Sequence, residues 1–311
     1  KRAKVTNLAT SGKIELDGKK SVGIYGTNNS ELENFGRILL TNTADDSASV
    51  GMLSDGKTLT NNGKITMSGG ASAGMLGKSL ATLTNAAGAT ITIKGKASAG
   101  MYAENATPTN AGIINVKGEK SAGIFAKVSD DKNRSIVNTG SIKLMGTSES
   151  KSAGMYVEIA NGATGTTTLE NKNLISVNQK ESVGMYIKNK SGNRDLGIAL
   201  NSATKGIINL EKESTVGIYV DNALGENKSI INVKKGNSAG MYGSSDSKIT
   251  NALKINISNE KSAGMYALDS EAINTKDGKI KVDGNSGATG GSAGMYGKLT
   301  SNAKKDYTIL N

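Results

Sequence analysis

Neither cysteine, histidine nor tryptophan occurs in this chain of 311 residues, which holds one proline and only two phenylalanines. Each absence removes a chemistry. Without Cys and His there is no thiol nucleophile, no imidazole base and no Ser–His–Asp triad, and the usual zinc ligand sets are missing. No disulfide staples the fold; a Cys-free chain suits the cytosol, or a bacterial exported protein that avoids disulfides in transit. Aromatic residues are 4% and hydrophobic residues 36% of the total, which is little for one large round core. No apolar run reaches the roughly 18 residues of a membrane-spanning helix, and the first residues do not read as an export signal. The 38 basic and 27 acidic side chains leave a net charge of +11, which bears on solubility and partners rather than on fold.

What is present is repetition. Ser-(Ala/Val)-Gly-(Met/Ile)-(Tyr/Leu/Phe) recurs with its glycine at 23, 51, 74, 100, 123, 154, 184, 217, 240, 264 and 294, at intervals of 23 to 33 residues. A fixed period in this range marks a solenoid or another repeat architecture. Upstream of every copy stands Ile-x-(Val/Leu/Ile/Met), for example Ile65 with Met67, Ile91 with Ile93 and Ile114 with Val116. Apolar–polar–apolar with Ile and Val is the two-residue period of a half-buried strand. The same parity carried into the Gly motif predicts Ala and Met facing inward, with Ser, Gly and Tyr outward. A third element ends in Asn, at 7, 34, 61, 85, 110, 138, 171, 201, 251 and 274. Asn tolerates left-handed backbone, which suits a recurring corner, and stacked amides form internal ladders in coiled β-structures.

Three short strands per coil of about 27 residues predict an all-β chain: a single right-handed parallel β-helix of about eleven coils, continuous over 1–311. Each strand pairs with its equivalent one coil on, at a rise of about 4.8 Å. The chain opens almost at once in a coil at Val5 and stops inside another at Ile309, without polar caps. It therefore reads as a fragment of a longer solenoid.

Tandem Ser-Ala-Gly-Met-Tyr coils with Gly-x-Ile-x-Val strands resemble the passenger region of large type V autotransporter adhesins, especially the fusobacterial kind, and the Lys/Asn/Ile-rich composition is similar too. The resemblance covers Val5 to Tyr296. It implies a β-helix at the bacterial cell surface, exported through an outer-membrane barrel that this chain lacks, and adhesion to a host-cell or bacterial surface protein or glycan. Its matching positions are scaffold positions, so no binding residue carries over.

Four features are candidates for function. Tyr102, Tyr156, Tyr186, Tyr219, Tyr242 and Tyr266 share one motif position and predict a stripe of stacked rings, either a platform for a partner or a scaffold ladder. The Asn series is either a ligand-reading row or an internal ladder. Lysines before the motif (Lys20, Lys96, Lys120, Lys151, Lys180, Lys212, Lys235, Lys261) predict a positive ridge or simply a solvated edge, blunted by interleaved Glu. Loop length is uneven: six copies need 10 or 11 residues from Gly to Asn, whereas 123 to 138, 154 to 171 and 184 to 201 need 15, 17 and 17. Insertions in neighbouring coils project from the same side, which predicts projecting loops near 127–134, 158–168, 188–195 and 221–228. Candidate partner-binding residues there are Lys127, Asp130, Asp131, Lys132, Arg134, Glu158, Lys188, Lys190, Arg194 and Asp195.

No catalytic residue, cofactor or metal site is expected, and nucleic acid is an unsuitable partner without a basic groove carrying base-stacking rings. Two other readings stand beside the adhesin. A carbohydrate-active β-helix enzyme, lyase or glycosidase, needs paired carboxylates or Ca²⁺ with a basic group on one groove, yet Glu15 is the only carboxylate in the middle of an Ile-x-apolar strand. A pure structural spacer needs no site.

Overall fold

A computed structural model describes all residues except 1–2, 10, 28–29, 147–149, 203–204, 284–290, 302 and 304. The chain winds into three parallel sheets of 12, 11 and 11 strands, each strand pairing with its counterpart one coil earlier and later. Coil 1 comprises Ala3–Asn7, Lys13–Leu16 and Val22–Gly26; coil 4, in the regular middle, comprises Thr82–Asn85, Thr90–Ile93 and Ala99–Glu104. Eleven such coils follow one another, and Ile309–Leu310 pairs onto the first sheet as a twelfth strand. One three-residue 3-10 turn, Arg194–Leu196, is the only helical element among the described residues.

The second sheet is built by the Ile-x-Val strands in strict register. Ile65 pairs with Ile91 and Ile91 with Ile114, in a single file. All three are fully buried, as are Met67, Ile93 and Val116. One apolar cluster runs from Ile24 to Ala272, and Ile14, Leu16, Ile280 and Met295 pack more loosely on its ends. Each buried side chain of this size contributes about 1.5–3 kcal/mol, so stability accumulates coil by coil rather than in one centre.

The first sheet ends each strand in an inward asparagine. Nδ2 of one donates to Oδ1 of the next at 2.7–2.9 Å through twelve residues, Asn7 to Asn311. The series is therefore an internal ladder and reads no ligand. These residues also lack the left-handed backbone expected of them. That conformation falls instead on the residue just before the motif Ser, at Lys20, Ala48, Ala71, Ala97, Lys120, Lys151, Glu181, Ser214, Asn237 and Lys261 (φ 45–58°). The following Ser stabilises this corner: Ser121, for example, accepts from Ser98 N at 3.1 Å and donates to Gly95 O at 3.0 Å.

The third sheet breaks the two-residue parity. Met101 is fully buried and Tyr102 faces out, as expected, but Gly100 faces in and Ala99 faces out. A Cβ on Gly100 would lie 2.7 Å from Gly123 O and 3.1 Å from Ile114 Cγ2. Two successive residues thus point inward, and from Gly23 to Gly264 the first must be glycine because the next coil's backbone occupies the space. The Ala column is left on the outer surface, where it becomes the floor of a groove.

Candidate functional site

The longer loops form one knob. In coils 5, 6 and 7 the third-sheet strands run one residue further than in coil 4 (Ala122–Val128, Ala153–Ile159, Val183–Asn189) before their loops. Val128 and Ile159 are fully buried and Ala163 nearly so. Neighbouring loops also bond one another, as when Thr166 N donates to Asn133 Oδ1 at 2.9 Å and Arg134 N to Thr166 O at 2.8 Å. Ile159 and Ala163 belong to the continuous core of the shaft, so the insertions are packed onto the rod and bonded to one another.

Most of their charges face other residues of the chain. Arg134 is 5% exposed. It holds Asp130 through two guanidinium contacts, and donates to Lys132 O at 2.9 Å and Asn105 O at 3.1 Å. The Arg134 hydrogen bond keeps the Asp130 carboxyl below its ordinary value. Lys190 pairs with Glu158. Arg194 reaches across coils to Glu271 Oε1 at 3.1 Å and Asp246 O at 3.2 Å, bracing the knob against the rod. Lys127, Asp131, Lys132, Lys190 and Asp195 are the exposed members of the set.

Lys127 and Lys188 belong to a pattern that only the register makes visible. The fourth residue after each motif Gly stacks in the order Asp55, Lys78, Glu104, Lys127, Glu158, Lys188, Asp221. Signs alternate at every step, so each of the five inner charges lies between two opposite ones at about the 4.8 Å strand spacing. The ladder neutralises that edge of the knob.

The fourth loop does not exist as an insertion. Residues 224–227 form a first-sheet strand, Leu224–Asn227, and Asn227 joins the Asn ladder by bonding Asn251 at 2.8 Å. Gly217 to Asn227 is thus an ordinary interval of 10 residues. The strand Leu-Gly-Glu-Asn lacks the β-branched residues and Thr that mark its neighbours, which hid it in the sequence.

Beside the knob runs a groove of about 600 Å³ along the third sheet. Its floor is the Ala/Val column, one wall is the ring column from Leu76 through Tyr102, Phe125, Tyr156 and Tyr186 to Tyr219, and the other is the left-handed corner column from Ala48 to Glu181. From Tyr102 to Tyr296 eight rings lie at centroid distances of 4.6–5.1 Å. Tyr219 and Tyr242 meet edge-on at 63°, which divides the stack. Because the rings stack on each other, their edges rather than their faces line the groove.

Burial pushes the phenols up, Tyr156 and Tyr242 to about 12, with Tyr102, Tyr186 and Tyr219 also raised. Neutral phenol is favoured in the fold and the unfolded value is about 10. Stability from these groups is complete below pH 10 and lost as pH climbs through 12. Spectrophotometric titration of the folded chain should show a tyrosinate component from these five phenols forming well above pH 10, and the denaturation midpoint should fall over the same interval.

The lysine ridge lies on the corner wall and beyond it. Lys180, Lys212, Lys235 and Lys261 surround a shallow depression of about 380 Å³ with Glu213 and Glu260. Its charges are interleaved: a hydrogen bond from Lys180, with Lys212 and Lys235 nearby, holds Glu213 below its ordinary value. Among the described residues no group of three or more acidic side chains could hold a metal ion.

A family described as the BigA third pectate lyase-like domain matches residues 1–86 and 71–223. The chain belongs to that family. No curated protein matches this BigA-type domain significantly. Among solved structures, the crystal structure of a TibC-catalyzed hyper-glycosylated TibA fragment is similar, at 13% identity and a TM-score of 0.29, over 99% of this chain and 98% of that one.

Proposed function

We propose that this BigA-type domain is a segment of a bacterial surface adhesin passenger of the type V kind, a stiff shaft that presents the knob of coils 5–7 to a host-cell or bacterial surface. The observation carrying this reading is the knob itself: three consecutive insertions on one edge of the rod, bonded to one another. Repeat architectures place recognition at such insertions, on a scaffold that tolerates them. A shaft of eleven coils at about 4.8 Å per coil extends roughly 50 Å, which holds the knob away from its anchorage. The groove's only carboxylate, among the described residues, is Glu181, 3.7 Å from Lys151, whereas glycoside hydrolysis calls for two carboxylates about 5–9 Å apart. This favours binding over cleavage, despite the lyase-like family description.

The test is to cut the knob to the length of coil 4. Residues 128–133, 159–166 and 189–196 are each replaced by one asparagine, together with Arg134→Ala. Asparagine already makes this corner at Asn105 and Asn222, with φ 50° and 52°, and Ala106 is buried where Arg134 stands one coil later. The shortened chain should keep its circular dichroism and melt cooperatively, while its adherence to target cells drops at least ten-fold. Undiminished adherence by the folded variant would refute the role of the knob, and release of oligosaccharides from a polyuronate would refute the non-enzymatic reading.

A further inference from the structure

The groove is a separate feature from the knob, and its chemistry is unusually one-sided. In coils 3 to 5 its floor is Ala73, Ala99 and Ala122, 5–8% exposed. The walls there are Leu76, Tyr102 and Phe125 on one side and Ala71 and Ala97 on the other, so the Tyr102 phenol is the one polar group of that ring wall. The corner serines offer little to a ligand: Ser72 donates to Gly70 O at 3.0 Å and Ser98 to Lys96 O at 3.1 Å. The ring faces are covered by neighbouring rings, so a sugar could not stack on them. Two cations lie on the corner wall where the largely apolar stretch ends, Lys120 in coil 5 and Lys151 in coil 6. Lys151 is 3.7 Å from Glu181, and Lys120 has no ion pair among the described residues.

We propose that this groove binds a free long-chain fatty acid, its acyl chain along the alanine floor from Ala48 to Phe125 and its carboxylate at Lys120 and Lys151. A largely apolar stretch closed by two cations, in a groove that runs on past them to Glu181 and Tyr219, matches an amphiphile carrying one chain and one negative charge. Length sets the preferred chain. From the corner of Ala48 in coil 2 to Lys120 is three coil spacings, about 14 Å, and to Lys151 four, about 19 Å. An extended chain advances about 1.25 Å per methylene, given C–C bonds of about 1.5 Å, so the stretch takes about 11 to 15 methylenes. Dodecanoate to hexadecanoate spans that range. The inference depends on no part of the adhesin reading.

Isothermal titration of the intact chain with sodium carboxylates, each kept below its micelle-forming concentration, tests it. One equivalent should bind. Affinity should rise about four-fold per methylene from decanoate to tetradecanoate, the equivalent of about 0.8 kcal/mol for each buried CH₂, and level off near hexadecanoate. Ala99→Phe and Ala122→Phe both fill the groove from its outward floor, and whichever folds with an unchanged melt should lose binding. Lys120→Ala reproduces the corner residue of coil 4, so the fold is kept. It should weaken tetradecanoate about three- to ten-fold and leave tetradecanol unaffected. Failure of the wild-type chain to bind, affinity independent of chain length, or full binding by a folded groove-filled variant would overturn the proposal. So would saturation of the groove by an apolar peptide or a second copy of the chain without any uptake of tetradecanoate.

Discussion

Replacing Asn110 by alanine should cost the solenoid about 2–5 kcal/mol, although the side chain touches no solvent and no apolar core residue is removed. Asn110 Oδ1 accepts from Asn85 at 2.7 Å, and its Nδ2 donates to Asn138 at 2.8 Å and to Gly112 O at 3.3 Å. Its removal strands a donor on one neighbour and an acceptor on the other, both fully buried. Each stranded group costs about 1–3 kcal/mol, more than the hydrogen bond contributed when made. The loss should appear as a lower urea midpoint. Asn110→Asp separates geometry from charge. A carboxylate can accept from Asn85 but has no proton to offer Asn138, so burial and the facing oxygen both raise its folded pKa. That variant should be most stable below the unfolded value of about 3.9 and weaken as pH rises through the folded one. If stability were instead flat with pH and close to that of the parent chain, the ladder would be a passive consequence of stacking.

The ladder also shows what the sequence reveals and what it hides. Period, strand type and stacking are legible because Ile-x-Val and the Gly motif recur at nearly fixed separation, and the register places Ile65, Ile91 and Ile114 in the one file that this spacing implies. Ten of the twelve ladder residues were visible in the Asn series, whereas Asn227, Asn311 and the backbone of all of them were not. Corner geometry depends on which residue must reverse the chain, and the left-handed position tolerates Lys, Ala, Glu, Ser and Asn alike. Composition therefore gives no signal there. Parity failed at the Gly motif because a bulge cancels a two-residue period, and the cause is a neighbouring coil's carbonyl rather than anything local. The alternating charge ladder was written at Gly plus four from Asp55 to Asp221, but its meaning requires knowing that those positions are adjacent. The groove has no sequence signature, since its floor is made of alanines that parity assigns to the core.

Arg134 illustrates the same limit at a single residue, and it carries the second large effect. A charged residue in an inserted loop reads as an exposed contact, yet its side chain is 2% exposed and clasped by Asp130. Asp130→Ala should therefore destabilise the knob by about 3–5 kcal/mol, because it leaves a buried guanidinium without its counter-charge. Arg134→Met should cost less, since it removes the charge that needs compensation and leaves Asp130 near enough to water to be solvated. Combining Asp130→Ala with Arg134→Met should recover much of the loss seen with Asp130→Ala alone, a coupling that only a shared pair produces. The damage should stay local. Strands pair only with those of the adjoining coils, so native-state hydrogen exchange should accelerate at 129–133 and 160–166 while amides of coil 2 keep their protection. The intact pair gives the knob an acid limit as well: with the Asp130 carboxyl held below its ordinary value, its stabilisation is complete above about pH 4 and fades as pH drops through the folded pKa. Exchange measured against pH should thus show the knob loosening before the shaft, and simultaneous loss of both would mean that the pair does not hold the loops.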